Sequence, residues 1–347
     1  MKHTTYLSAI ILAAGIVTTS LDGFACAACG CSLSTEAVTG YSSAGGWSLS
    51  LQYDYINQNQ LRSGRNSVSP SRAASINDAG GSQEVEKGTL NRYITLGLGY
   101  SPNADWNLKL LVPYVDRSHS TYGQALNPLT PDQVSGANVS SLGDIKFLVS
   151  YQGLLSGHNL GVELGVKLPT GDYGGANAGG TGTVGRNPAR FTTGPNAGEL
   201  LDTSLQAGTG STDLIVGVYY HKPLSPDFDA FANLQFQTAV IQALNRPGED
   251  FRPGNQEVVS FGVRYEANPG IVPQLQVNIN HRSKDLGALA DTPNSAGTAA
   301  YLSPGVSFGV MKNVQLYGFG QLPIYSKLEG YQLFPHWTAS VGLSCAF

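Results

Sequence analysis

With 347 residues, a formal net charge of -4 and only 13% charged side chains, the chain offers no basic patch for nucleic acid and carries fewer charges than the quarter typical of soluble domains. Its hydrophobic residues make up 41%, yet they never run together for the about 20 positions a spanning helix needs, which excludes a helical membrane protein. The 43 glycines and 17 tyrosines are spread throughout, and no linker-like shift in composition divides the chain beyond its N-terminus.

Residues 1–25 read as a secretory signal. Lys2 and His3 precede an apolar stretch from Tyr6 to Val17 and a small-residue exit at Gly23-Phe24-Ala25, with cleavage after Ala25 or Ala27. Acylation of Cys26 is the alternative, and bulky Phe24 weakens it. Residues 26–46 form a Cys-containing periplasmic segment in which Cys26, Cys29 and Cys31 make a Cys-x-x-Cys-x-Cys cluster. In an oxidising compartment a disulfide is the plain reading; three neighbouring thiolates also suit a soft metal such as Cu(I) or Zn²⁺. No His follows the Cys-x-x-Cys, which excludes a c-type haem site. No other cofactor is expected.

From Trp47 the pattern turns to strands. Trp47, Leu49, Leu51, Tyr53 and Tyr55 alternate with Ser48, Ser50, Gln52 and Asp54, the period of a strand with one greasy and one wet face. Residues 57–89 show no period and predict a long loop. In 90–100, Ile94, Leu96, Leu98 and Tyr100 oppose Tyr93, Thr95, Gly97 and Gly99, and Ser101-Pro102-Asn103-Ala104 makes a tight turn. Strands at 105–116 and 142–151 flank a second polar loop. Further on, Val162, Leu164, Val166 and Leu168 alternate with Gly161, Glu163, Gly165 and Lys167. A charge facing lipid at mid-depth costs about 2–4 kcal/mol, so the aliphatic row faces out. Residues 169–209 form the longest loop, rich in Gly and Asn and expected to cover or fold into the mouth. Strands follow at 210–221, 227–238, 256–266, 273–284, 298–310, 313–321 and 336–347, with Tyr317 and Phe319 leaving one face assignment open.

Connections alternate long and short along the chain. This predicts an all-β fold, an antiparallel transmembrane β-barrel of about 12 strands over residues 47–347, with long extracellular loops and short periplasmic turns. Both termini are then periplasmic and the location is the cell outer membrane, with outer-membrane lipid as the surrounding partner. The chain ends on Phe347, and this last strand resembles the C-terminal strand of bacterial outer-membrane barrels, which implies the barrel-assembly machinery as a partner.

From Leu142 onward the chain resembles the phenol-degradation meta-pathway (MetA-pathway) family of bacterial outer-membrane β-barrel proteins. The residues that carry the likeness are Leu142-Gly143-Asp144, Lys167-Leu168-Pro169-Thr170-Gly171-Asp172, Gly210-Ser211-Thr212-Asp213 and Tyr301-Leu302-Ser303-Pro304-Gly305. The resemblance implies a barrel that passes small molecules, hydrophobic or aromatic ones among them. The first third of the chain, with its cysteines, has no counterpart in those motifs.

Strand parity sends Lys109, Asp144, Lys146, Glu163, Lys167, Asp213, Asp229, Arg264 and Arg282 inward as lumen-lining candidates. Lys109, Lys146, Glu163 and Lys167 would form a ladder of opposite charges, lining a passage or simply pairing with one another. Asp144, Asp172 and Asp213 fall together as outer-mouth carboxylates, placed to attract cations or Ca²⁺ or to satisfy strand-end amides. No catalytic constellation emerges; His119 near Ser140 or Ser141 is only a nominal pair, and no enzyme is expected. The expected function is an outer-membrane channel for a small-molecule solute, passive or substrate-gated. Its rivals are a metal-handling barrel using the cysteine cluster and a plugged structural or surface barrel.

Overall fold

The computed structural model describes residues 45–347 apart from Pro269; the signal segment and Cys26, Cys29 and Cys31 lie outside the described residues. The strands are β1 (Gly46–Gly64), β2 (Asn66–Ser67), β3 (Glu86–Ser101), β4 (Trp106–Thr121), β5 (Ser135–Leu142), β6 (Lys146–Tyr151) and β7 (Leu160–Lys167). Then come β8 (Tyr173–Ala176), β9 (Thr183–Arg186), β10 (Phe191–Thr193), β11 (Ser211–Pro223), β12 (Phe228–Gln242), β13 (Gln256–Tyr265), β14 (Ile271–Arg282), β15 (Gly297–Met311) and β16 (Val314–Ala346). A helix, α1 (Pro70–Asp78), sits between β2 and β3, with the Ser69 hydroxyl accepting from the Arg72 amide at its start. No described helix is long and apolar enough to cross a membrane.

Fourteen strands form one sheet, and with β2, β5 and β10 set aside the other eleven close on themselves in the order β1, β3, β4, β6, β7, then β11 through β16 and back to β1. Every pairing is antiparallel. The 33 residues of β16 would extend about 110 Å if straight, far more than a membrane-spanning wall. It reverses instead. Residues 314–328 pair with β15 and 328–346 with β1, around Gly330 at φ +56°, and the Ala346 amide donates to the Asn313 carbonyl at 3.0 Å across the two arms.

The expected parity holds around the ring. Leu49, Leu96, Leu164, Val216, Leu275 and Val341 are exposed on the outer face, whereas Gln52, Asp54, Glu163, Lys167, Gln276 and Asn278 are buried inside. Aromatic pairs mark the rim at the short turns: Trp47–Tyr100 at 4.7 Å, Trp106–Tyr151 at 4.8 Å and Phe228–Tyr265 at 5.0 Å between ring centroids. Tyr55 stacks on Trp337 toward the other edge of the apolar band. Amphipathic rings at both edges of an outward apolar surface suit the two membrane interfaces.

Two expectations are corrected. Residues 57–89 are not a patternless loop, because β1 continues to Gly64, α1 follows, and β3 begins at Glu86. The gap expected between strands at 313–321 and 336–347 is also strand, so the last loop-side connection is a tight turn at Gly330 and the alternation of long and short connections fails there. Pro323 and Pro335 do not break this strand. Both instead sit where the register slips, opposite Tyr301 and Gln58, the bulge positions a strand tolerates for proline.

Tyr317 and Phe319 face inward because glycines across the strand make room. A Cβ added at Gly342 would come within 2.2 Å of the Tyr317 ring, at Gly305 within 2.2 Å of Phe319, and at Gly161 within 2.0 Å of Tyr219. Gly342→Val should therefore lower barrel stability by about 1–3 kcal/mol through overpacking, read as a lower urea midpoint with unchanged slope. Gly320→Ala, which meets nothing within 4 Å, should leave the midpoint in place.

Candidate functional site

The inner wall is built around a break in one strand. β4 pairs with β5 through residues 114–121 and with β6 through 106–111, so β5 and β6 follow one course interrupted at 143–145. Thr170 fills the interruption: its hydroxyl accepts from the Ile145 amide at 2.8 Å and donates to the Gly143 carbonyl at 2.9 Å. The two ends of the 168–210 loop cross beside it, and a Cβ on Gly171 would stand 2.9 Å from Gly208 Cα and 3.0 Å from the Gly143 carbonyl carbon. Only glycines allow that approach.

Asp144 ties this crossing together. Its Oδ1 accepts the Gly171 amide and its Oδ2 the Thr209 amide, both at 3.0 Å, so one carboxylate holds both ends of the loop. Lys167 Nζ lies 3.0 Å from Asp144 and 3.1 Å from Asp213, donates to Ser211 at 3.2 Å, and also contacts the Thr209 hydroxyl. Asp213 accepts further from Ser211 Oγ and Gln237 Nε2, each at 2.6 Å. All three charged side chains are buried, and this density of donors is what lets two carboxylates remain inside.

The loop then folds back over the barrel interior. Arg117 donates to the Leu205 and Gln206 carbonyls, to Tyr93 Oη at 2.9 Å and to Asn91 Oδ1 at 2.5 Å, fastening the loop to the wall. Leu201, Leu205 and Phe191 pack on Ala137 and Val139 of β5. Beneath the loop lies a solvent-open cavity reaching from Tyr93, Lys146 and Lys167 on one wall to Gln256 and Arg282 on the other. Those last two residues also line a second, smaller and more apolar cavity bounded by Ile56, Tyr301 and Phe334. The two spaces share a wall and make one mixed-polarity interior.

The expected lumen residues fall as follows. Glu163 accepts from Gln235 at 2.9 Å and Ser150 at 3.3 Å, with Lys109 on the same inner face; Lys146 reaches Gln237 at 3.1 Å. The ladder closes differently from the expectation, because Lys146 and Lys167 are direct cross-strand neighbours and Lys167 turns away to its two carboxylates. Arg282 is buried against Asp285 at 2.5 Å. Near the short turns, Arg264 pairs with Asp229 at 3.3 Å and Glu266 at 3.5 Å and lies 5.7 Å from the Phe231 ring.

The three mouth carboxylates do not converge. Asp172 stands apart, accepting from Ser141 at 2.8 Å and Asn187 at 3.4 Å, while Asp144 and Asp213 close on Lys167. Among the described residues no group of three or more His, Cys, Asp or Glu could hold a metal ion, and Asp144 accepts the Gly171 and Thr209 amides. The Ser/His pair does not form either: His119 Nδ1 bonds Thr89, and Ser140 bonds Asp116. Among the described residues Cys345 has no disulfide partner, and it lies on the row shared with exposed Val341 and Leu343. The sequence reading missed Arg117, which shares the parity of Lys109 but lies one residue past the strand end assigned at 116.

No family model matches the chain, and no curated protein matches it in sequence. Solved structures do match in shape. An outer membrane channel from Pseudomonas putida F1 superposes with a TM-score of 0.62 at 13% identity, covering 88% of this chain and 97% of that one. The fold is that of an outer-membrane β-barrel. The beta domain of the Bordetella autotransporter BrkA (TM-score 0.46, 12% identity, 88% and 100% coverage) and the Ralstonia pickettii toluene transporter TbuX (0.44, 12%, 94% and 99%) are more distant in shape.

The barrel's charge cluster makes a direct prediction. Lys167→Met strands Asp144 and Asp213 without their cation and should cost about 3–5 kcal/mol in chemical denaturation. Adding Asp144→Asn and Asp213→Asn to the same chain should recover most of that loss, since the amides keep hydrogen bonds without the charge.

Proposed function

We propose that the chain is an outer-membrane channel of twelve spans, counting the two arms of β16 separately, through which small molecules cross. What carries this reading is the pair of adjoining cavities beneath the folded-in 168–210 loop, walled by Lys146, Gln237, Gln256 and Arg282 on the polar side and by Ile56, Tyr301 and Phe334 on the apolar side. A lumen with both surfaces accepts amphipathic and aromatic solutes, which agrees with the resemblance to the phenol-degradation meta-pathway family and with the fold of the Pseudomonas channel. In this orientation the short turns and both termini are periplasmic, the long loops face outward, and the clasp at Asp144, Lys167 and Asp213 sets the position of the constriction. Lipid surrounds the barrel.

A specific observation favours a second reading, a closed barrel. Toward the short-turn end the inner wall is covered by side chains hydrogen-bonded to one another, Tyr317, Gln52, Asp54 and Ser340 in one group and a row running from Gln274 through Gln276 and Asn278 to Gln321 in another. The soft-metal role of Cys26, Cys29 and Cys31 is a further proposal; thiol counting on purified protein tests it, since three oxidised thiols would end it.

Planar-bilayer recording of purified, heat-modifiable protein distinguishes channel from plug. Discrete conductance steps are expected, enlarged in Arg117→Ala, where the loop loses its fastening to the wall. A folded protein that stays silent in both forms would overturn the channel reading.

A further inference from the structure

The smaller of the two lumen cavities has an apolar frame of Ile56, Val258, Ala299, Tyr301 and Phe334. Tyr301 and Phe334 lie nearly parallel, their planes 19° and their ring centroids 6.0 Å apart, and give one wall a flat aromatic surface. Three polar side chains on the same lining are more than nine-tenths buried and keep bonding capacity that the protein leaves open. Asn280, 6% exposed, sits on the inward row of β14 with Asn278 and Arg282, and among the described residues its side-chain amide makes no hydrogen bond. Thr338, 5% exposed, has a hydroxyl without a partner. Gln321, 4% exposed, accepts from Asn278 and Ser303 through its Oε1, while its amide nitrogen donates to no described residue.

The polar groups around them are engaged. Gln58 accepts from Asn91 and donates to the Leu333 carbonyl, and Arg282 is held by Asp285. Glu257 and His281, at the cavity's edge, face each other in the register on the outward rows that also hold exposed Phe261 and Leu275. Among the described residues that line the cavity from inward rows, none carries an unpaired charge. What stays open is neutral: an amide with its donor and acceptor side by side, a hydroxyl and an NH₂ group. Polar groups buried without partners are costly, so a ligand that supplies those partners is favoured.

We propose that this cavity is a subsite for an uncharged ring compound bearing a carboxamide, its ring against Tyr301 and Phe334 and its amide edge on Asn280, with Thr338 and Gln321 taking the remaining bonds. The proposal rests on reading the cavity as solute space, and it names the class of solute. A carboxylate in the same place would shed its water with no free cation to replace it. A ketone offers an acceptor alone and leaves the Asn280 carbonyl unmet. A hydroxyl brings one atom to two that stand side by side, whereas a carboxamide presents a matching donor and acceptor.

Titration calorimetry of the detergent-solubilised full chain with benzamide, acetophenone, phenol and benzoate tests the assignment on ligands of nearly equal size. Benzamide should bind saturably and at least about tenfold more tightly than the other three, since each of those lacks part of the donor and acceptor pair or adds a charge. Asn280→Leu, a side chain of similar size, should weaken benzamide by about tenfold while the protein keeps its heat-modifiable band, and Thr338→Val should weaken it by a smaller factor. No saturable benzamide binding, a comparison ligand that binds as tightly, or unchanged benzamide affinity in folded Asn280→Leu would each overturn the proposal. The ligand series needs only the unaltered protein, so it decides the matter if a variant does not fold. Conductance plays no part in these readouts: a conducting barrel that does not bind benzamide loses the subsite and keeps the channel, and a silent barrel that binds it does the reverse.

Discussion

Lys167 between Asp144 and Asp213 is the interaction on which the interior depends. Three segments far apart in the chain supply it: the break between β5 and β6, the end of β7, and the start of β11. Each charge would be expensive alone in a wall that faces lipid on its other side, and together they are bearable only because amides and hydroxyls complete their shells. The cluster is thus self-enforcing. If the loop that brings Thr209 and Gly171 left its seat, Asp144 would lose its two amide donors, so the charge network holds the loop as firmly as the loop satisfies the charges.

That coupling explains the motifs that marked the family resemblance. Leu142-Gly143-Asp144, Thr170-Gly171-Asp172 and Gly210-Ser211-Thr212-Asp213 meet in space, glycine for backbone crossing and aspartate for tying it. They describe how a long loop is anchored at a barrel mouth and do not themselves touch the apolar cavity at Tyr301 and Phe334.

The part of the fold legible in the sequence is the part that lipid dictates. Where a strand crosses the membrane, one face must be apolar and the other is free, so Leu164, Val166 and Leu168 against Glu163, Gly165 and Lys167 could be assigned by eye. Beyond the membrane that demand lapses. Residues 57–64 and 322–335 are strands although their sequence, which holds no sustained alternation, predicts loop. Partners were harder still, because Lys167 could be placed inside by parity while its choice of Asp144 and Asp213 over Glu163 comes from a strand break that no local pattern announces. Arg117 falls one residue past the strand end that the alternation predicts at 116, and the loops beyond it have no period to read.

The two halves of the interior follow different rules, and the difference bears on what a channel here would select. The loop-side half places its charges around open space, with Lys146 and Arg282 lining the large cavity. The opposite half combines charges paired with one another, Arg264 with Asp229 and Glu266, with neutral amides and hydroxyls bonded to one another, Gln274, Gln276, Asn278, Ser303 and Gln321 in one group and Gln52 and Ser340 around Asp54 in another. A ring of charges would sort solutes by sign, whereas amides offer donors and acceptors to any polar solute and exclude chiefly by size. Such a network also opens at modest cost, because each amide released can be met by water or by a passing hydroxyl. In a channel of this build the amide-lined stretch would weigh shape and hydrogen bonding before charge, since Arg264 there is already paired with Asp229 and Glu266.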